Sequence, residues 1–175
     1  NCAPASAALP TVPADGWAKA EILSPALPAG VTAPAEADFT DFAASGMGAE
    51  ADAWLAENAN LVNHLAVTGT ADAPVVFETA LDADHPHALT CLTIDAAEGS
   101  SLTVVQVVRG DAEDGVSANL TRIRAAEGAH VVLVQVQLLG SHARRWNAVS
   151  IEQGKSARVE QVRIELGGAV VACGT

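Results

Sequence analysis

After Asn60 the chain alternates short apolar runs with small polar breaks. LVNHLAV, PVVFETAL, ALTCLTI, SLTVVQVV, NLTRIRA, HVVLVQVQLL, NAVSI, ARVEQVRIEL and AVVAC are rich in β-branched side chains and bounded by Gly, Asp-Ala or Asn. No amphipathic stretch of helical spacing separates them. Parallel strands of an open sheet need such crossover helices, so the pattern predicts an all-β region without βαβ units.

Three of these runs repeat one another. EGSSLTVVQVV, EGAHVVLVQVQ and QGKSARVEQVR align on Gly99, Gly128 and Gly154, which are 29 and 26 residues apart. Seven positions later come Gln106, Gln135 and Gln161, and eight positions later Val107, Val136 and Val162. Upstream, TIDAAEG (93–99) matches RIRAAEG (122–128). A period of this length means stacked units, each too small to bury its own apolar face. With two or three strands per period it predicts a parallel β-helix whose equivalent strands lie about 4.8 Å apart. Neighbouring offsets point to opposite faces, so the valines are expected to stack in the core and the glutamines to form an outward structural ladder. A β-sandwich also uses many short strands, but the Asp-Gly turns that mark hairpins occur only at Asp15-Gly16 and Asp114-Gly115.

The first 59 residues read differently from residues 60–175. Residues 1–35 carry Pro4, Pro10, Pro13, Pro25, Pro28 and Pro34, which disfavour long helices and predict a lead-in segment. Between Asp38 and Asn58, Phe39, Phe42 and Ala43 fit one helical face, and Ala51, Trp54 and Leu55 another across Gly46–Gly48. Two short helices with core-anchoring aromatics are expected there.

Composition narrows the function. Half the residues are apolar but only 3% are aromatic, so the core must be built from aliphatic side chains. Net charge is −12, and the first 108 residues hold one base, Lys19, against fourteen acids. No basic stripe is available to neutralise phosphates, which argues against nucleic-acid binding. No apolar run reaches the roughly 18 residues of a membrane span. Cys2, Cys91 and Cys173 are far apart and odd in number, without CxxC or Cys/His spacing. That supports neither a zinc site nor a disulfide framework and suggests a reduced, cytoplasmic setting. Cys2 lies where a processed lipoprotein anchor would begin, but without a signal segment.

Candidate chemistry is sparse. His85 and His87, with Asp82 and Asp84 before them, are the most metal-like cluster, since i and i+2 on a strand share a face. An ordinary polar turn around Pro86 accounts for the same residues, and no metal ligand is assigned. His64, His130 and His142 are isolated. Arg144, Arg145 and Trp146 form a basic and aromatic cluster, expected as a solvated turn with the indole packed on a flank rather than an anion clamp. No GxSxG elbow, phosphate loop or GxGxxG is present, and no catalytic residue is assigned. Cys91 and Cys173 are expected as buried strand cysteines.

The order of several phrases resembles the SufB/SufD family. They are ALPTVPADGW (8–17), LPAGV (27–31), PVVFET (74–79), HPHALTCLTIDAAEGSSLTVVQVVRG (85–110) and NAVSIEQGKSARVEQVRIELGG (147–168). The resemblance implies a right-handed parallel β-helix and a non-enzymatic subunit of the SUF iron–sulfur cluster assembly scaffold. It implies SufB-type and SufC-type ATPase partners, admits a homodimer, and places an iron–sulfur cluster transiently on the full complex. The N-terminal cysteine motif of many SufB sequences is not found here, which directs the resemblance to the SufD side. Family members are about twice as long, so the sequence corresponds to an N-terminal part or a shortened relative. The family's cluster-associated cysteines and histidines lie beyond it. Two other functions suit a β-helix: carbohydrate binding or processing, for which Arg144, Arg145 and Trp146 are the one hint, and a purely structural oligomerisation module.

Overall fold

The computed structural model describes residue 18 and residues 20–24, 26–34 and 62–174. Those residues form eleven strands and no helix: β1 (Ala20–Ile22), β2 (Val31–Thr32), β3 (Val62–Val67), β4 (Val75–Leu81), β5 (His87–Ala96), β6 (Ser101–Gly110), β7 (Val116–Ala125), β8 (His130–Leu139), β9 (Arg144–Gln153), β10 (Arg158–Glu165) and β11 (Val170–Gly174). The two short helices expected between Asp38 and Asn58 lie outside the described residues.

The strands sort into two sheets. The first has the order β1-β4-β6-β8-β10 and the second β11-β9-β7-β5-β3-β2. Every second strand pairs in parallel with its equivalent one repeat later, so each coil contributes one strand to each sheet. This is the parallel β-solenoid that the repeat predicts. β1 and β2 are exceptions: they pair antiparallel with β4 and β3, closing the first coil with residues of the lead-in. Parallel pairing across β-branched runs suits strands buried on both faces, and β7 is buried along nearly its whole length.

A tight turn links the sheets in each coil. In 97–100 and 126–129 the fourth N–H bonds the first carbonyl, at 3.0 and 3.1 Å. The third residue, Gly99 or Gly128, has φ of 65° or 68°. Positive φ at that position is the requirement of a type II turn and explains the glycine. The next turn, 154–157, closes the same way at 3.2 Å. Its third residue is Ser156, with φ of 56°.

Gly154 therefore opens its turn, whereas Gly99 and Gly128 sit third in theirs, and the glycine alignment is corrected by two residues. Register agrees, because His130 pairs Ser101 on one side and Arg158 on the other. Gln106 lies beside Gln135, but the residue in register with Gln135 on the next coil is Arg163, not Gln161.

The facing of these strands is the second correction. On β8, Val131, Leu133, Gln135, Gln137 and Leu139 are buried, while Val132, Val134, Val136 and Leu138 are half-buried or exposed. The glutamines point in and the valines out, the reverse of the expectation. The apolar core is built from other residues, among them Leu65, Val75, Phe77, Ile94, Ile123 and Leu133. Each such side chain contributes about 1.5–3 kcal/mol on burial. A smaller cluster around Leu81, Val108 and Leu139 fills the other end of the solenoid's cross-section. Between the two lies a polar column.

Candidate functional site

The column is made by inward positions of both sheets. From the second sheet, register places Thr90, Asn119, Asn147 and Cys173 in one row and Ser117 and Arg145 in the next. From the first sheet come Gln106 and Gln135, with Gln161 one step along. Amides buried this deeply need partners, since an unmade hydrogen bond costs about 1–3 kcal/mol.

They find them in one another. Asn119 Nδ2 donates to Asn147 Oδ1 at 2.8 Å and to Thr121 Oγ1 at 3.1 Å. Gln135 Nε2 donates to Gln106 Oε1 at 2.8 Å and to Asn147 Oδ1 at 3.1 Å. Asn147 Nδ2 returns a bond to Gln135 Oε1 at 3.0 Å, and Gln161 Nε2 reaches the same oxygen at 3.1 Å. The glutamine ladder expected from the repeat thus exists, but inside the solenoid and with a diagonal third rung. Thr90 donates to Asn119 Oδ1 at 2.8 Å, and Thr121 to Gln106 Oε1 at 3.2 Å. A cavity of about 20 Å³ lies against Thr90, Gln106, Ser117, Asn119 and Arg145, room for about one water.

Toward the last coil the balance changes. Arg145 is buried, and burial pulls its guanidinium below the ordinary arginine range. Among the described residues its carboxylate partner is Glu165, 3.8 Å from Nε, too long for a hydrogen bond. Burial lifts Glu165 above the usual carboxylate range against the pull of Arg145 and Arg163. Arg145 Nε, Arg163 Nη1 and both Glu165 oxygens are buried without a hydrogen-bond partner. Cys173 stands in this group, free, half-buried, and near enough to Arg145 to act on its ionisation. A satisfied amide column therefore ends in a thiol, two guanidinium groups and a carboxylate with unused bonding capacity.

The family model for the SUF system FeS cluster assembly SufBD core domain matches residues 79–174. That is more than half of the chain, and it spans β5 to β11 with the end of β4. The chain belongs to the SufBD family. No curated protein and no solved structure matches it. Membership joins the solenoid to iron–sulfur cluster assembly, and the matched span contains the whole amide column with Arg145, Glu165 and Cys173.

The remaining sequence candidates fall elsewhere on this SufBD solenoid. Asp82 Oδ1 accepts the backbone N–H of Asp84 at 3.0 Å and of His85 at 2.7 Å, with His85 Nδ1 at 3.2 Å. That is a capped polar turn, and the hydrogen bond from the His85 backbone is the main reason the Asp82 carboxyl falls below its ordinary range. His87 starts β5, where burial and then Arg144 lower its imidazole. Among the described residues no group of three or more metal-ligating side chains assembles.

Arg144, Arg145 and Trp146 are not a solvated turn. They begin β9, which sends Arg145 inward and buries Trp146 on the outer face. The hint of a sugar-binding platform goes with them. Cys91 shares that outer face, in register with Leu120, and burial pushes its thiol up to about 12. It is a core cysteine as expected, whereas Cys173 faces the column.

A groove of about 630 Å³ runs along the edge of the same face past Asp95, Arg124 and Glu152. Its charges are spent locally: Asp95 holds His64 at 2.8 Å and Arg124 at 3.3 Å, and Glu152 holds Arg122 at 2.7 Å. No helix among the described residues is long and apolar enough to cross a membrane. Sequence reasoning missed Arg145, Glu165 and Cys173 as a group because they lie on three strands and meet only through the stacking of coils.

Proposed function

We propose that this chain acts as a non-enzymatic, SufD-like subunit of the SUF scaffold, working in the cytoplasm through contacts with SufB- and SufC-type partners. The family match over residues 79–174 on a parallel solenoid carries the proposal. A stacked, closely hydrogen-bonded solenoid is a rigid body suited to holding partners in place. The polar groups of the column are largely occupied with each other, which suits a scaffold better than a catalyst. A SufC-type ATPase used as bait should retain the full-length protein at stoichiometric level. Absence of binding, together with activity on a panel of oligosaccharides, would replace this reading with the carbohydrate one.

A SufB-type role is the second reading, and one observation favours it. Cys173 places a thiol beside Arg145 and the unsatisfied Arg163 and Glu165 atoms, a setting able to hold a sulfur or iron species as cargo. Anaerobic incubation of the full-length protein with iron and sulfide distinguishes the two. A cluster absorption band lost in Cys173→Ser but kept in Cys91→Ser supports the SufB-type role. A spectrum indifferent to Cys173 leaves the SufD-like one.

A further inference from the structure

The last described coil breaks the pattern of the column. One coil earlier, Gln135 and Asn147 face each other and exchange hydrogen bonds at 3.1 and 3.0 Å. Register puts Arg163 beside Gln135 and Cys173 beside Asn147. A guanidinium and a thiol therefore occupy the places of a satisfied amide pair. Arg145 joins them from β9 and Glu165 from β10, both at inward positions.

These groups have capacity left for a ligand. The Arg145 side chain is 3% exposed, and its Nε has no hydrogen-bond partner among the described residues. Arg163 Nη1 and both Glu165 oxygens are buried and unpartnered as well. Polar atoms buried in this way are normally paired. Arg145, Arg163 and Glu165 act on one another's charge, and Cys173 acts on that of Arg145, so the four share one site.

We propose that Cys173 is a peroxide-reactive thiol, oxidised by hydrogen peroxide to a sulfenic acid in this pocket of the last coil. Three features match that reagent. A cation beside a cysteine favours the nucleophilic thiolate, and two guanidinium groups stand here. Their free N–H groups can hold a peroxide oxygen while negative charge develops on it. Cys173 is half-buried, so a small neutral oxidant reaches it more readily than a bulky or charged one.

The thiol releases its proton to solvent, and the sulfur attacks one peroxide oxygen. An S–O bond forms, the O–O bond breaks, and its electron pair leaves on the second oxygen. That oxygen takes the Glu165 proton and departs as water, and Glu165 regains a proton from solvent. Sulfur is oxidised by two electrons and the peroxide is reduced by two. Burial keeps a proton on Glu165 to higher pH than on a solvated carboxyl, which suits it as the donor. The described residues offer no second thiol to convert the product to a disulfide, since Cys91 is buried on the outer face. The sulfenic acid therefore persists until an external thiol condenses with it. None of this depends on the SUF reading.

Hydrogen peroxide added to the reduced full-length protein in excess dimedone, with adducts mapped by mass spectrometry, tests it. The adduct should form on Cys173 and not on Cys91, about tenfold faster than on free cysteine. Glu165→Gln should slow that reaction by about tenfold or more. The same variant should leave alkylation of Cys173 by iodoacetamide unchanged, because iodide departs without a proton. A merely structural role for Glu165 would move both rates together. Arg163→Gln should also slow the peroxide reaction. Circular dichroism checks folding, and if that arginine variant is unfolded the Glu165→Gln comparison decides alone. A Cys173 that oxidises no faster than free cysteine overturns the proposal. So does a Glu165→Gln variant whose peroxide rate is unchanged or falls in step with its alkylation rate.

Discussion

Gln135 and Asn147 exchange a pair of hydrogen bonds across the interior of the solenoid, one in each direction, at 3.1 and 3.0 Å. They come from different sheets, so this amide pair locks the two layers together where aliphatic packing gives way to polar packing. Replacing one partner orphans the other. Gln135→Leu should cost about 2–4 kcal/mol, read from urea denaturation. Asn147→Leu combined with it should cost less than the sum of the singles, because the second change removes the orphaned amide. Additive losses would mean that the pair is not coupled.

The turn correction has its own thermodynamic signature. Ser156 occupies the position that Gly99 and Gly128 hold, at φ of 56°. Ser156→Gly should stabilise by about 0.5–1 kcal/mol, seen as a rise in the urea midpoint. Gly154→Ala should destabilise for a different reason: an added Cβ would sit 2.9 Å from the Glu127 backbone nitrogen. A destabilising Ser156→Gly would contradict the register.

Burial raises Glu165 above its ordinary value, and the direction fixes a pH dependence. A carboxyl with a higher pKa folded than unfolded binds its proton more tightly in the native state. Its contribution is present below the unfolded pKa and is lost as pH rises through the folded one. Glu165→Gln removes that loss. The variant should gain stability relative to wild type as pH rises from the ordinary carboxylate range toward neutral, measured as denaturation midpoints. Parallel curves would mean that Glu165 is solvated.

Thiol reactivity separates the cysteines. Cys91 is buried with its thiol pushed up to about 12, whereas Cys173 is half-buried. Alkylation of the native protein at mildly alkaline pH, mapped by mass spectrometry, should leave Cys91 unlabelled after Cys173 has reacted. Equal labelling would contradict the burial of β5.

The strands and their period were legible because β-branched runs and turn residues are local signals. LVNHLAV, PVVFETAL and HVVLVQVQLL fall on β3, β4 and β8 almost to the residue. Facing was not legible. HVVLVQVQLL alternates two sets, and hydropathy alone sends the valines inward. What turns the strand over is Asn119, Thr121 and Asn147 on the opposite sheet, which satisfy the glutamine amides and lie 12 or more positions from them along the chain. The third repeat misled because Gly154 matches the letter of the motif while Ser156 takes the conformation. Arg145 read as surface since a buried guanidinium is rare, and its neighbours Glu165 and Cys173 come from the following coil. Family membership, by contrast, was carried by phrases along most of the chain, and the match over residues 79–174 covers the later ones.

A part in iron–sulfur cluster assembly makes the activity of an iron–sulfur enzyme depend on this gene in the cell. Under iron limitation, deletion should lower that activity and re-expression of the full-length protein should restore it. Unchanged activity in the deletion strain, with the protein expressed and soluble in the parent, would contradict the assignment.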